Sequence, residues 1–425
     1  MSSHLVKSSS IEAIIDSETP ANAELCPKYK RSFAYATITD RVPVIVTGII
    51  DHLTKEKNVL IPESDQAEAV REDVKGIIAE LSELKYQIQT GKPLVRLAET
   101  GDPDASQWNC NINEKESEVG ELTYYTGSWL FVECFIYRRI HEIISSKCHM
   151  KHWDPFSDKK NTVLYSSLNA VSLIADHLVC NKILESQPLK TSQLIEELSS
   201  LIKFSLWANK YDLSLSSGNT DIAGKGLHEW DGDLLVNDMD QLIEHLYTTS
   251  DDCEDRIIDF VLDNAAMELL CDLCLADFLV IRCRISHIRF HCKKMPWFVS
   301  DVTKNDFDKT IKVAMESSNS SLRAMAIRWN DYVKKGTWTL DFDDFWTRGL
   351  PYDQMEKESP KLYQELQQSY LVILKGDLNY RKAVRDRAWS PTEPLASAVG
   401  SFRPSTVTLL RTMKADTVAG RSEDT

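Results

Sequence analysis

Long apolar runs are missing from this chain: no stretch approaches the roughly 18 uninterrupted apolar residues of a membrane-spanning helix, so no span is expected. Positive charge is scarce as well. Lys and Arg number 49 against 64 Asp and Glu, a formal net charge of -15. That balance gives no general attraction to nucleic acid or to an anionic membrane surface, and a bound anion would need a local basic cluster. The opening MSSHLVKSSSIEAIIDSETP has no signal-peptide core, since Glu12 breaks its apolar run. The expected compartment is the cytosol, or the nucleus.

Catalytic signatures with fixed spacing are absent too. There is no GxSxG elbow, no HExxH pair and no glycine fingerprint of the usual nucleotide-type methyltransferase. Between Gly218 and Gly224-Lys225 stand five residues where a phosphate-binding loop has four, and Gly226 replaces the Ser or Thr that would hold magnesium. The segment TLDFDDFW resembles the Asp-x-Asp nucleophile of haloacid-dehalogenase-type phosphatases, but its preceding run is short and Phe345 occupies the usual Thr or Val position. Cys271-x-x-Cys274 is half of a zinc pattern, with Cys283, His287, His291 and Cys292 downstream. No second CxxC completes it, and a spacing of three inside a helix-like apolar run puts both thiols on one buried face. The ten cysteines are read as reduced, largely core residues.

What is present is ordinary globular composition, 43% hydrophobic and 27% charged, in a chain of 425 residues, long enough for a large core and two subdomains. Residues 1–31 read as a flexible polar start. From 32 to 200 the pattern is helical: VREDVKGIIAELSELKYQI, GSWLFVECFIYRRIHEIISS and SLNAVSLIADHLVCNKILESQ repeat apolar residues at spacings of three and four. From 201 to 425 short β-rich runs alternate with helices. Candidate strands are 257–262, 289–292, 297–300, 371–374 and 406–410. The expected architecture is α/β, a three-layer α/β/α domain with a mostly parallel sheet, plus an N-terminal helical subdomain.

Polar clusters follow the strands. Asp263-Asn264 stands where the run Ile257–Leu262 ends, with Glu268 about one helical turn beyond. The crevice beyond the carboxyl ends of strands is where open α/β folds hold ligands, and a carboxylate beside an amide oxygen suits a hard divalent ion. The alternative is that either residue merely caps the next helix. Asp301 in MPWFVSDVT would add a third oxygen-bearing side chain. In YLVILKGDLNYRKAV, Lys375-Gly376-Asp377 leads into Asn379, Tyr380, Arg381 and Lys382 at a helix start, where glycine allows close approach and Lys and Arg could hold a phosphate. Arg411-Thr412-x-Lys414 could clamp a phosphate or sugar hydroxyls. Asn209, Lys210 and Asp212 either line the same crevice or form a turn.

In their order, DNAAMELLCD, SDVT, LVILKGDLNYRKAVRD and LRTMK resemble the metal-dependent damage-control phosphatase family, in its eukaryotic branch with the Arg-Thr-x-Lys signature, also named acidic-residue methyltransferase. LWANKYDLSL, DDFWTRGLPYDQM and WLFVECFIYRRI resemble that branch too, so the likeness runs from Ser32 to Lys414. It implies that Asp263, Asn264 and Asp301 hold Mn²⁺, Co²⁺ or Ni²⁺, with Mg²⁺ as a further candidate. It also implies that Asp377, Leu378, Asn379, Tyr380 and Arg381 contact the phosphorylated substrate, and that Lys414 reaches it from its turn. The substrates implied are sugar phosphates such as fructose 1-phosphate and fructose 6-phosphate. Glu268 falls where the methyltransferase proposal places S-adenosylmethionine.

The expected reaction is therefore metal-assisted phosphomonoester hydrolysis, with Lys375, Arg381 and Lys414 neutralising phosphate charge and Asp301 or Glu268 as the candidate base. No Ser, Cys or His is placed as a nucleophile, so no covalent phosphoenzyme is expected from those residue types. The rivals are an S-adenosylmethionine-dependent carboxyl methyltransferase acting on protein glutamates and a non-catalytic interaction protein.

Overall fold

The computed structural model describes residues 14–60, 66–99, 101–185, 188–216, 231–247 and 255–422. Five short runs form one sheet: β1 (Ile257–Val261), β2 (His287–His291), β3 (Trp338–Asp341), β4 (Leu371–Lys375) and β5 (Val407–Leu410). Neighbours pair in parallel in the order β3-β2-β1-β4-β5. A parallel sheet covered on both faces needs strands that are apolar throughout rather than alternating, and every residue of β4 is buried. From central β1 the chain steps outward to β2 and β3, then returns to the other side of β1 for β4 and β5. That reversal makes a switch point between the carboxyl ends of β1 and β4, where open α/β sheets take their ligands.

Helices cover both faces, as the three-layer reading requires. Ile258, Phe260, Ile288, Phe290, Leu371 and Ile373 share a core with the helices Ser157–Cys180, Thr191–Ser216, Met267–Arg282, Lys304–Met315 and Ser320–Lys335. On the opposite face Val261, Val372 and Leu374 meet Phe345, Trp346, Tyr352 and Leu366. Cys271 and Cys274 are fully buried in the first of these cores.

A further core lies among the N-terminal helices Val42–Leu60, Ala67–Gln89, Ala105–Val119 and Trp129–Ser145. Val70, Val74, Ile77, Leu81, Leu84 and Ile88 line one buried stripe at spacings of three and four. Trp297 and Leu378 reach into this core from the α/β part, so the two parts are joined by packing. The helices 157–180 and 191–216 instead bury their apolar faces in the core on the sheet. The cores therefore divide near residue 156 rather than at 200.

Other expectations change as well. The run Trp297–Ser300 is not a strand, because Phe298 and Val299 take left-handed φ values of 41° and 74°. β3 fills the sheet edge where no strand was expected. Residues 14–31, expected to be flexible, pack: Ile15 bridges to Tyr29, the Leu25 amide donates to the Asp386 carbonyl at 2.9 Å, and Leu25 is buried. Two helices, Phe33–Glu56 and Ser157–Cys180, meet the length and hydropathy of a span, but each gives a face to a core, through Val46, Ile49 and Leu53 in one and Val171, Ile174 and Leu178 in the other.

Candidate functional site

At the end of β1 the chain turns into the helix Met267–Arg282 through Ala266, whose φ is 64° and which makes no side-chain cap. Neither Asp263 nor Asn264 is spent on capping. The main chain from 263 to 265 pairs antiparallel with that from 300 to 302: the Val302 amide donates to the Asp263 carbonyl and the Ala265 amide to the Ser300 carbonyl, each at 2.8 Å. This ladder brings Asp301 beside Asp263. The Asn264 amide nitrogen donates to Asp263 Oδ2 at 2.6 Å and to Glu268 Oε2 at 2.7 Å, while its oxygen accepts from the Ser300 hydroxyl.

The electrostatics of this corner are unbalanced. Asp301 is 2% exposed, and its Oδ2 has no hydrogen-bond partner; Lys293 Nζ stands 3.4 Å away as an ion pair without hydrogen-bond geometry. Burial pushes the Asp301 carboxyl up to about 6, against the lowering charges of Lys293 and Lys414. Burial, then repulsion from Glu268 and Asp301, holds Asp263 well above the usual carboxylate range. Gly376, at the end of β4 with φ +83°, leaves room for Asp263: a Cβ there would lie 2.0 Å from Asp263 Oδ2.

These features fit a hard divalent cation. Asp263 and Asp301 are carboxylate donors, one with an unpartnered oxygen, and the Asn264 carbonyl keeps a lone pair beyond the one Ser300 uses. Among the described residues no three His, Cys, Asp or Glu side chains form a metal cage. A cation here would be held by two carboxylates and an amide, leaving coordination positions to water and phosphate as magnesium-type sites do.

Glu268 and Lys375 form the floor. Lys375 is fully buried, lying 3.2 Å from Glu268 and 3.0 Å from Asp272, and donating to both the hydroxyl and the carbonyl of Ser205 at 2.6 Å. Burial opposes its charge, but the two carboxylates outweigh burial and raise its pKa. Lys375 therefore fixes Glu268 rather than facing the crevice. The Leu206 carbonyl is likewise taken by the Thr412 hydroxyl at 3.1 Å, and the helix 191–216 leaves helical geometry at Trp207. Diverted carbonyls of this kind kink a helix.

The Asp-Leu-Asn-Tyr-Arg string opens the helix Gly376–Ala383, and its side chains turn mostly inward. Asp377 accepts from Arg411 Nε at 2.8 Å and from the Lys414 amide at 2.9 Å. Arg411 also donates to the carbonyls of Thr417 and Ala415 and stacks over Tyr380, so it shapes its own turn. Leu378 packs among the N-terminal helices. Asn379 donates to the Lys375 and Val261 carbonyls and accepts from the Tyr352 hydroxyl, and the Tyr380 hydroxyl accepts from the Ala419 amide. Arg381, 2% exposed, forks onto Asp386 at 2.8 and 2.9 Å, reaches Glu133 at 2.7 Å and lies over the Trp129 ring at 3.5 Å. Its guanidinium ties the two cores together and is closed to a ligand. Lys414 is exposed, and its charge acts on both Asp263 and Asp301.

Asp263, Asn264, Asp301 and Glu268 thus converge, with Asp377, Arg411 and Lys414 as the adjoining turn. Leu378, Asn379, Tyr380 and Arg381 support from behind. Sequence reasoning missed Lys293, Asp272 and Ser205. The first two had signals: Lys293 follows a strand like the other clusters, and Asp272 stands four residues after Glu268 on one helix face. The side chains of Asn209, Lys210 and Asp212, and the segment from Gly218 to Gly226, lie outside the described residues. In TLDFDDFW, Asp341 faces His291 and Asp343 caps the turn at Phe345, so no paired nucleophile forms.

The family described as the damage-control phosphatase ARMT1-like domain matches residues 37–425. The chain is 36% identical over 408 residues to damage-control phosphatase ARMT1 of Danio rerio, covering 93% of this chain and 90% of that protein. It is 36% identical over 405 residues to the Homo sapiens protein of the same name, at 92% and 90% coverage. A crystal structure of a DUF89 family protein from Pyrococcus horikoshii is 10% identical and covers 79% of this chain and 85% of that one, with a TM-score of 0.36, too low to inform the fold.

Proposed function

The chain belongs to the ARMT1-like damage-control phosphatase family, and from that premise we propose that it is a divalent-metal-dependent hydrolase of sugar phosphates, fructose 1-phosphate and fructose 6-phosphate among them. The observation that carries the metal reading is the buried Asp301 oxygen, without a hydrogen-bond partner and with Lys293 at 3.4 Å, beside Asp263 at the switch point of the sheet. A cation held by Asp263, Asn264 and Asp301 supplies Lewis acidity toward a phosphoryl oxygen and lowers the pKa of water.

The chain's own groups do the rest. Lys414 meets the phosphate's charge from its exposed turn. Because the 378–381 side chains face inward and Asp377 is taken by Arg411 and Lys414, the helix Gly376–Ala383 offers a phosphate its first-turn amides, which no side chain caps, rather than those side chains. Glu268 is held by Asn264 and Lys375, whereas Asp301, with Lys293 beside it, has an oxygen that accepts no hydrogen bond and can orient water. The methyl-transfer alternative needs Glu268 to face a cofactor, and nothing in this geometry favours it.

The test is phosphate release from a sugar-phosphate panel by chelator-stripped protein resupplied with Mn²⁺, Co²⁺, Ni²⁺ or Mg²⁺. Methyl transfer from labelled S-adenosylmethionine is run on the same preparation. Release that appears only with metal and favours fructose phosphates is expected. Metal-independent release, or methyl transfer without release, would overturn the reading.

A further inference from the structure

The turn that delivers Asp301 is the most constrained segment of the crevice. Phe298 and Val299 are consecutive non-glycine residues with φ of 41° and 74°, and for a β-branched residue this conformation is an outlier that surrounding structure must enforce. The Asp301 amide closes the turn onto the Trp297 carbonyl at 3.1 Å. Directly beyond it, Ser300 gives its hydroxyl to Asn264 and its carbonyl to the Ala265 amide. Whatever holds the turn therefore holds two of the three cation donors.

What holds it belongs to the other core. Tyr137, on the helix Trp129–Ser145, stacks on the Phe298 ring with centroids 4.5 Å apart and planes 22° from parallel. Its ring also lies 5.9 Å from Trp297 and 6.4 Å from Phe156; Tyr137, Trp297 and Phe156 belong to the N-terminal core, and half-buried Phe298 and Val299 pack against it. A locked aromatic stack of this kind fixes orientation as well as burying area.

We propose that the N-terminal helical part sets the geometry of the cation site through this stack, with Tyr137, Phe298 and Val299 as positioning residues for Asp301 and Asn264. The proposal rests on the metal reading for its chemical consequence, though not for its geometry. It differs from a plain core role, because it makes the Tyr137 ring, and not merely its bulk, decide the order of a main-chain ladder.

The test uses the full chain with Tyr137→Phe, Tyr137→Leu and Val299→Gly, and two readouts. One is amide hydrogen exchange at Ala265 and Val302, the donors of the 263–302 ladder, with Val372 in the sheet as internal control. The other is Mn²⁺ binding to chelator-stripped protein, from the electron paramagnetic resonance signal of free Mn²⁺. Tyr137→Leu should speed exchange at the two ladder amides by at least about 10-fold without affecting Val372. It should weaken Mn²⁺ binding roughly 10- to 100-fold, the usual effect of losing a ligand's supporting partner. Tyr137→Phe keeps the ring and should behave as wild type. Val299→Gly accepts the left-handed φ but removes the side chain that packs against the N-terminal core and frees the backbone to leave the turn, so it should keep the thermal midpoint yet lose ladder protection, and it decides the matter if Tyr137→Leu fails to fold. Unchanged ladder exchange in Val299→Gly and Tyr137→Leu would overturn the proposal. So would a Tyr137→Phe variant that fails as Tyr137→Leu does, since the hydroxyl would then be acting. A wild type that binds no Mn²⁺ would count against the metal reading alone, with exchange still deciding the positioning role.

Discussion

A methyl group on Gly376 would fall 2.0 Å from Asp263 Oδ2, so the residue after β4 is glycine because the carboxylate after β1 occupies the space beside it. The two strand ends meet at the switch point of the sheet, and the contact couples the helix Gly376–Ala383 to the loop after β1. Gly376→Ala would add a left-handed alanine, costing about 1–2 kcal/mol, and would displace Asp263 as well. We expect a lowered thermal midpoint together with near-complete loss of metal-dependent phosphate release. A variant with wild-type turnover at saturating Mn²⁺ would show that Asp263 does not need its present place.

Asp301→Asn separates chemistry from folding. The exchange removes a buried charge that burial already disfavours, and it leaves the shape of the turn intact. Because the exchange also takes the carboxylate away from the buried Lys293 ammonium, which among the described residues keeps only its bond to the Leu262 carbonyl, unfolding should be somewhat easier, by less than the roughly 3–5 kcal/mol of a fully broken buried pair, while turnover falls on the order of 10² to 10³, as when a preorganised electrostatic group is removed. Denaturant titration beside phosphate release checks both halves, and retained turnover would remove Asp301 from the cation site.

Arg381 and Lys414 should part company. Arg381→Ala strands Asp386 and Glu133 in the interior, and breaking such a buried pair costs about 3–5 kcal/mol. Lys414→Ala removes an exposed charge and should leave unfolding within about 0.5 kcal/mol of wild type while raising KM for sugar phosphates. If Arg381→Ala instead folded as wild type with only a raised KM, the string's arginine would be a phosphate ligand after all.

Why the sequence misleads at Arg381 is physical. A basic residue at a helix start after a strand looks the same whether its fork meets a phosphate or a carboxylate; here the fork takes Asp386, five residues on in the turn after the helix, and the remaining donor takes Glu133, 248 residues away in the chain. Asp263 and Asn264 were legible because a continuous apolar strand ending in polar residues marks the ligand edge of a parallel sheet. Asp301 was legible for a different reason from the one that places it: no strand precedes it, and a left-handed turn carries it to Asp263. β3 escaped notice because a four-residue edge strand carrying Thr339 and Asp341 has too little apolar pattern to register. The inward turn of Asn379 and Tyr380 depends on Tyr352 and Ala419, partners that local spacing does not show.

A buried ionic cluster away from the crevice gives the last prediction, on pH. Asp259 sits in the middle of central β1, bound by the Arg289 fork at 2.7 and 2.8 Å and by His291 Nε2 at 2.7 Å. Burial alone would lower the imidazole's pKa, but its hydrogen bonds and the charges of Asp259 and Asp341 raise it to about 9. A pKa raised above an unfolded value of about 6.5 means that the folded chain holds the extra proton between those limits. The contribution is complete below about pH 6.5 and is lost as pH climbs through about 9, at up to about 1.4 kcal/mol per pH unit. Asp259 runs the other way: burial raises its pKa, but His291 and Arg289 outweigh burial and bring it to about 2, so its contribution disappears only in strong acid. Urea unfolding of wild type should therefore weaken between pH 6.5 and 9, and His291→Gln should be less stable at pH 6.5 with a flatter profile over that range. Parallel wild-type and variant profiles would mean that His291 is neutral in the folded protein and that the charge of Asp259 is balanced by Arg289, with the Ser369 hydroxyl as a further donor.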